Sequence, residues 1–314
     1  MDRPPGTTLS EPIIRGFCKN GYYLLIKSFP DHSPGVRKGR IFSHVLIIEK
    51  EDYLKIQDIT QLVPLLFDKI DKTAKLKPID LQPQNRSASQ GTVSGQIAGA
   101  INGMVNHLDF DNTIIWIGEE GYFDWISHIW PNLPDTVKVK TRIGGAFDPK
   151  KIDATFLNLK FIPARFEMNW LRTRFKLIGS NCNENMDSQT ANILAGNRES
   201  SAALQSLIKE FSLEVPEIDD LRVLETIVPT YQDLINIKDL KQLYHFVHYV
   251  TQYNPNPQSA SSAKKTLVQL ITNCIAEANA EEINALVGPD WSGFSKAKSA
   301  LLDALIKWLE KYLL

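Results

Sequence analysis

Ser43-His44 is the first pair in this chain that could carry chemistry, a hydroxyl beside a base. The surrounding run, Gly39-Arg40-Ile41-Phe42-Ser43-His44-Val45-Leu46-Ile47-Ile48, has the length and apolar content of a strand. Neighbours on a strand point to opposite faces, so the two cannot form a nucleophile–base dyad with each other. A partner for His44 must come from elsewhere. Asp31-His32 in the preceding turn, with Arg40, supply a conceivable set. Asp31, His32, Arg40 and His44 together could bind an anion or support acid–base work, as in a hydrolase or nuclease acting on a phosphate-containing substrate. The plainer reading is that His44 makes a core hydrogen bond between strands while Asp31 and His32 stabilise the loop. Spacing favours the plainer reading, because it cannot by itself bring loop and strand together.

The other candidates are thinner. His245 and His248 stand three apart on an expected helix, but two ligands do not make a metal site, and Tyr244, Phe246, Tyr249 and Tyr253 around them suggest a packed aromatic face. Gly144-Gly145, and Gly118 with Gly121, could seat a phosphate at a helix N-terminus, yet they lack nucleotide-loop spacing and Glu119-Glu120 would repel an anion. No metal and no cofactor is expected. Cys18, Cys182 and Cys274 lie far apart without CxxC spacing, which fits a reducing cytoplasm rather than a disulfide framework.

Charge is balanced overall at −1 but unevenly distributed. Between 135 and 180 there are ten Lys and Arg against four Asp and Glu; between 184 and 239 the ratio is four to eleven. Lys138, Lys140 and Arg142 alternate with apolar or neutral residues over Val137 to Ile143, the period of a strand with one basic face. Arg172, Arg174 and Lys176 alternate with Leu171, Thr173 and Phe175, although Leu171, Phe175 and Ile178 also fit a helix. Such residues could form a binding face for nucleic acid or an acidic partner. They could equally guard solvent-facing and edge strands, which is the usual place for exposed charge.

These residues need elements to hold them. Ile13 to Ile48 holds three apolar runs, Ile13–Gly16, Gly21–Ser28 and Gly39–Ile48, separated by turn formers, the pattern of an antiparallel meander. Leu62, Leu65, Leu66 and Ile70 are spaced for a helix laid over it. The Gln-, Pro-, Asn- and Ser-rich stretch from Leu81 to Gly91 has linker composition. Then follow a helix of small residues over 93–108, an apolar strand at 113–117, a helix over 119–133 ended by Pro131 and Pro134, and strands near 137–143 and 154–162, a small α/β layer. From about Asn185 the apolar residues fall into helical stripes, broken at Asn254-Pro255-Asn256-Pro257. The last stripe stops on two leucines, as a helix docked on its own bundle, a partner-binding helix or the stub of a longer chain would. The expected class is α+β: an N-terminal β-rich segment 1–81, an α/β unit 92–180 and a helical region 185–314. No run of about 18 apolar residues is present to span a bilayer.

The Gly21-Tyr22-x-Leu24-Leu25 strand followed by Arg37-x-Gly39-x-x-x-x-His44-x-Leu46 resembles the N-terminal domain of the bacterial GTPase-associated proteins, found in predicted conflict and defence systems. The resemblance implies a cytoplasmic, non-enzymatic adaptor or sensor acting with a partner GTPase or effector protein. On that reading Gly21, Tyr22, Arg37, Gly39 and His44 are motif residues.

Overall fold

The computed structural model describes residues 12–31, 35, 40–67, 78–79, 93–284, 290–295 and 297–313. The chain divides into two compact units, 1–197 and 198–314.

The first unit is built on one seven-stranded sheet. Its strands are β1 (Ile13–Lys19), β2 (Tyr22–Pro30), β3 (Ile41–Glu49), β4 (Thr113–Ile117), β5 (Thr141–Gly145), β6 (Leu157–Ile162) and β7 (Lys176–Ile178). They lie in the order β3-β2-β1-β5-β6-β4-β7. The meander is antiparallel and joins the second segment through an antiparallel β1–β5 pair, beyond which β5, β6, β4 and β7 run parallel. The expected meander and α/β layer thus share one sheet, and the class is α+β.

Helix α1 (Lys50–Leu54) follows β3 directly, and its Tyr53 ring stacks on Tyr23 of β2 at 4.0 Å and meets Trp130 edge-on. Helix α2 (Gly95–Val105) starts where Ser94 Oγ accepts the Ile97 amide at 3.3 Å. Its small residues lie against β4 and β7; a methyl group added at Gly103 would meet Lys176 and Ile114 at 3.0 and 3.3 Å. Helix α3 (Tyr122–Ile129) buries Tyr122, Trp125, Ile126 and Ile129, and α5 (Gln189–Leu194) closes the unit.

Three sequence expectations are corrected here. Residues 135–140 form a helix, α4 (Asp135–Lys140), not the first part of a basic strand, and β5 begins only at Thr141. Pro134 opens that helix, Asp135 lies in its first turn and Lys138 and Lys140 in its last, so the charges complement the helix dipole. Residues 170–175 are turns ahead of a three-residue β7, so neither the long alternating strand nor the helix forms there. The helix expected around Leu62–Leu66 is a 3-10 turn, Ile59–Leu65, capped by Asp58 and containing Pro64. Ile70 and the 81–91 stretch lie outside the described residues.

The second unit is helical: α6 (Ala202–Glu210), α7 (Ile218–Thr226), α8 (Val228–Gln232), α9 (Leu240–Tyr253), α10 (Ser261–Ile275), α11 (Ala280–Asn284) and α12 (Ala297–Leu313). Glu217 and Asp220 cap α7 reciprocally. The Asn-Pro break after α9 is held by polar contacts: Asn254 Nδ2 donates to the Phe211 carbonyl at 2.7 Å, and buried Lys264 donates to the carbonyls of Asn254 and Asn256 at 2.8 and 2.9 Å.

Candidate functional site

The meander starts from a two-residue hairpin. Lys19 pairs with Tyr22, and the loop between them is Asn20-Gly21, with φ of 51° and 81°. Positive φ at both positions is the type I′ turn whose twist matches the flanking strands, which is the physical reason for Gly21. The register then runs through β2 to β3, with Tyr22 opposite Glu49, Leu24 opposite Ile47 and Ile26 opposite Val45. One face of β2 carries Tyr23, Leu25 and Phe29 into the core. The other carries Tyr22, Leu24 and Ile26, continued on β3 by Val45 and Ile47; Tyr22 is 44% exposed, Val45 37% and Ile47 67%. That face is apolar and outward.

β3 ends the sheet. The amide of Asp31 donates to the Arg40 carbonyl and that of Lys50 to the Gly21 carbonyl, both at 3.0 Å, so even-numbered β3 residues bond to β2. The N–H and C=O groups of Ile41, Ser43, Val45, Ile47 and Glu49 therefore face the open edge.

The His44 cluster weighed against the plainer reading is divided. Arg40 Nε lies 3.4 Å from a carboxylate oxygen of buried Asp31, so these two do meet across the β2–β3 loop. His44 Nδ1 instead accepts the Phe67 amide at 2.9 Å, and its ring stacks on the Phe67 ring at 4.2 Å. An accepting Nδ1 puts the imidazole proton on Nε2, and burial lowers the pKa of the group below its ordinary value. The nitrogen a general base would use is thus occupied by a backbone amide. Ser43 Oγ lies 2.8 Å from Ser28 Oγ on the other face. His32, Arg37 and Gly39 lie outside the described residues.

The basic residues do not form one row. Lys138 is buried, within 3.4 Å of Asp135, while Lys140 is exposed at the end of α4. Arg142 on β5 sits 3.5 Å over the Phe156 ring and 3.5 Å from Asp153. Arg174 lies 3.4 Å from Asp111 and Lys176 2.8 Å from Glu184, whereas Arg172 is exposed on a turn. β5 and β7 are three strand positions apart, about 14 Å at the usual spacing. Gly144, considered and set aside as a phosphate seat, gives its amide to Tyr122 Oη at 2.6 Å.

Two constellations, one buried and one half-buried, escape sequence reasoning. Tyr122 Oη accepts from Gly144 and donates to the Leu159 carbonyl at 2.7 Å, bridging α3 to β5 and β6. Asn102 and Lys176 both donate to Glu184, with Cys182 Sγ 3.7 Å away. The ion pair holds the Glu184 carboxyl below its ordinary range, while burial raises the Cys182 thiol. Burial likewise pushes the Cys18 thiol up to about 11, so neither is set up as a nucleophile. Small residues along α2 were the only signal for the second cluster; nothing in the spacing marks the first. Among the described residues no group of three or more His, Cys, Asp or Glu is placed to hold a metal, and no helix is long and apolar enough to cross a membrane.

Residues 1–66 match the family model of the GTPase-associated protein 1 N-terminal domain, type 1. The match spans the meander, α1 and the 3-10 turn after it. No curated protein and no solved structure matches this chain.

Proposed function

We propose that this protein is a non-enzymatic adaptor or sensor that works with a partner GTPase in a bacterial conflict system, and that it meets the GTPase through the outward face of the meander. The observation that carries this reading is a coincidence of positions. The segment matched to a GTPase-associated domain is the one that gathers Tyr22, Leu24, Ile26, Val45 and Ile47 on a single face, with Tyr22, Val45 and Ile47 exposed and Leu24 and Ile26 half-buried between them. Apolar side chains gathered on one exposed face are a feature of protein-docking surfaces. Occupied His44 Nδ1 argues against the hydrolase alternative, and the ion pairs made by Arg142, Arg174 and Lys176 argue against a continuous nucleic-acid stripe. The test is co-purification from the native host with identification of bound proteins in low and high salt. A stoichiometric GTPase that survives high salt is expected, since apolar contact is not screened. A chain that elutes alone, or only with nucleic acid lost at high salt, overturns the reading.

A further inference from the structure

The two edges of the sheet differ. β7 is three residues long, a length at which an edge offers little to pair with. β3 is nine residues long, contains no proline, glycine or lysine, and presents five consecutive pairs of outward N–H and C=O groups, from Ile41 to Glu49. Natural monomers usually guard such an edge with charge, proline or a bulge. Here its outward residues are Ile41, Ser43, Val45, Ile47 and Glu49, with only the last charged.

We propose that β3 pairs with β3 of a second copy of this chain, antiparallel about a two-fold axis, to make one sheet continuous through both copies. The choice of a second copy over a foreign strand rests on charge. β3 is preceded by Arg40, 61% exposed beside the Asp31 carboxylate, and closes on exposed Glu49, Lys50, Glu51 and Asp52, three acids to one lysine. Antiparallel pairing sets the basic start of each strand beside the acidic end of the other, twice. One register matches like with like: Val45 opposite Ile47 and Ser43 opposite Glu49, each occurring twice with the axis at Leu46. In the neighbouring register centred on Val45, Ile41 would face Glu49 and Ser43 would face Ile47. Four hydrogen-bonded residue pairs then form, about eight bonds in all. Because only the backbone edge is consumed, the outward apolar faces of the two copies become one face twice as wide. The inference stands independently of any GTPase, since the chain alone tests it.

So small an interface implies a dissociation constant on the order of 1–100 μM. Sedimentation velocity of the full chain over that range is therefore expected to show a monomer–dimer equilibrium that weakens with salt. Ile47→Pro removes an outward amide that β2 does not use, and by symmetry two interface bonds, weakening association about 30-fold. Ile47→Lys, which guards the edge without touching the backbone, gives the same result. Both variants are expected to keep the wild-type circular dichroism spectrum. A mixture of Val45→Cys and Ile47→Cys chains should cross-link under oxidation where neither does alone, because the Cα atoms of such a pair lie about 5.5 Å apart. A chain that stays monomeric to about 500 μM overturns the proposal. So does a dimer indifferent to both Ile47 substitutions, or a mixture that cross-links no better than its separate components.

Discussion

Replacing Tyr122 with phenylalanine tests how the two halves of the sheet are joined. The ring is fully buried, and its hydroxyl accepts the Gly144 amide at 2.6 Å while donating to the Leu159 carbonyl at 2.7 Å. Tyr122→Phe keeps the ring and removes both bonds. Each is worth about 1 kcal/mol net, and the Gly144 amide is left buried without a partner, an additional penalty of about 1 kcal/mol. The carbonyl has a second lone pair and suffers less. The sum, about 3 kcal/mol, corresponds to a fall of roughly 6–12 °C in the melting temperature of a unit this size. Tyr23→Phe is the control. That hydroxyl is also buried but has no hydrogen-bond partner among the described residues, so its removal is expected to be neutral or to stabilise by about 1 kcal/mol. Calorimetry of both variants reads the contrast. The reasoning is refuted if Tyr23→Phe costs as much as Tyr122→Phe.

Further expectations follow from the same contacts. Gly144→Ala should cost about 3 kcal/mol or more and markedly reduce soluble yield, because φ there is +100° and the added methyl would strike the Ile14 carbonyl on β1. Burial raises the pKa of Tyr23, Tyr53 and Tyr122 well above the ordinary value. The unfolded chain therefore ionises first, and stability held at neutral pH should fall as pH rises above about 10, seen as a falling melting temperature in alkaline scans. Lys176→Met should cost about 1 kcal/mol at pH 7, modest because the pair is partly exposed, by freeing the Glu184 carboxylate. Since Glu184 is held below its ordinary pKa, the wild-type advantage is present above about pH 4 and disappears below it, as paired urea titrations would read. His44→Ala should lower stability by about 1 kcal/mol through loss of the Phe67 amide bond and ring stack, measurable by urea denaturation.

Much of the architecture was legible because it is local. Apolar runs bounded by turn formers marked β1 to β3, a continuous apolar run marked β4, and small residues marked α2 as a close-packing helix. The second unit's helices follow their 3.6-residue stripes, and the Asn-Pro break falls after α9 as expected. The failures are also physical. Over 137–140, alternation suggested a strand, but Pro134 and Asp135 start a helix whose end welcomes Lys138 and Lys140. Antiparallel pairing of β1 with β5 is non-local, and no sequence period encodes it. For the site, spacing fixed neither contact: Asp31 meets Arg40 through the reversal of β2 into β3, and the seat of His44 on Phe67 depends on a further reversal through α1 and the turn after it. The Asn20-Gly21 hairpin explains Gly21 by its positive φ, without any functional role.

The central claim is that the meander's outward face receives a GTPase. Its most direct test compares, by quantitative mass spectrometry, the proteins retained from the native host by the wild-type chain and by a Tyr22→Asp/Val45→Asp/Ile47→Asp variant that keeps its circular dichroism spectrum. These side chains point to solvent, so the substitutions should leave the fold intact. The account predicts a stoichiometric GTPase with the wild type and at least a tenfold loss with the variant. A GTPase retained equally by both, or by neither, contradicts it.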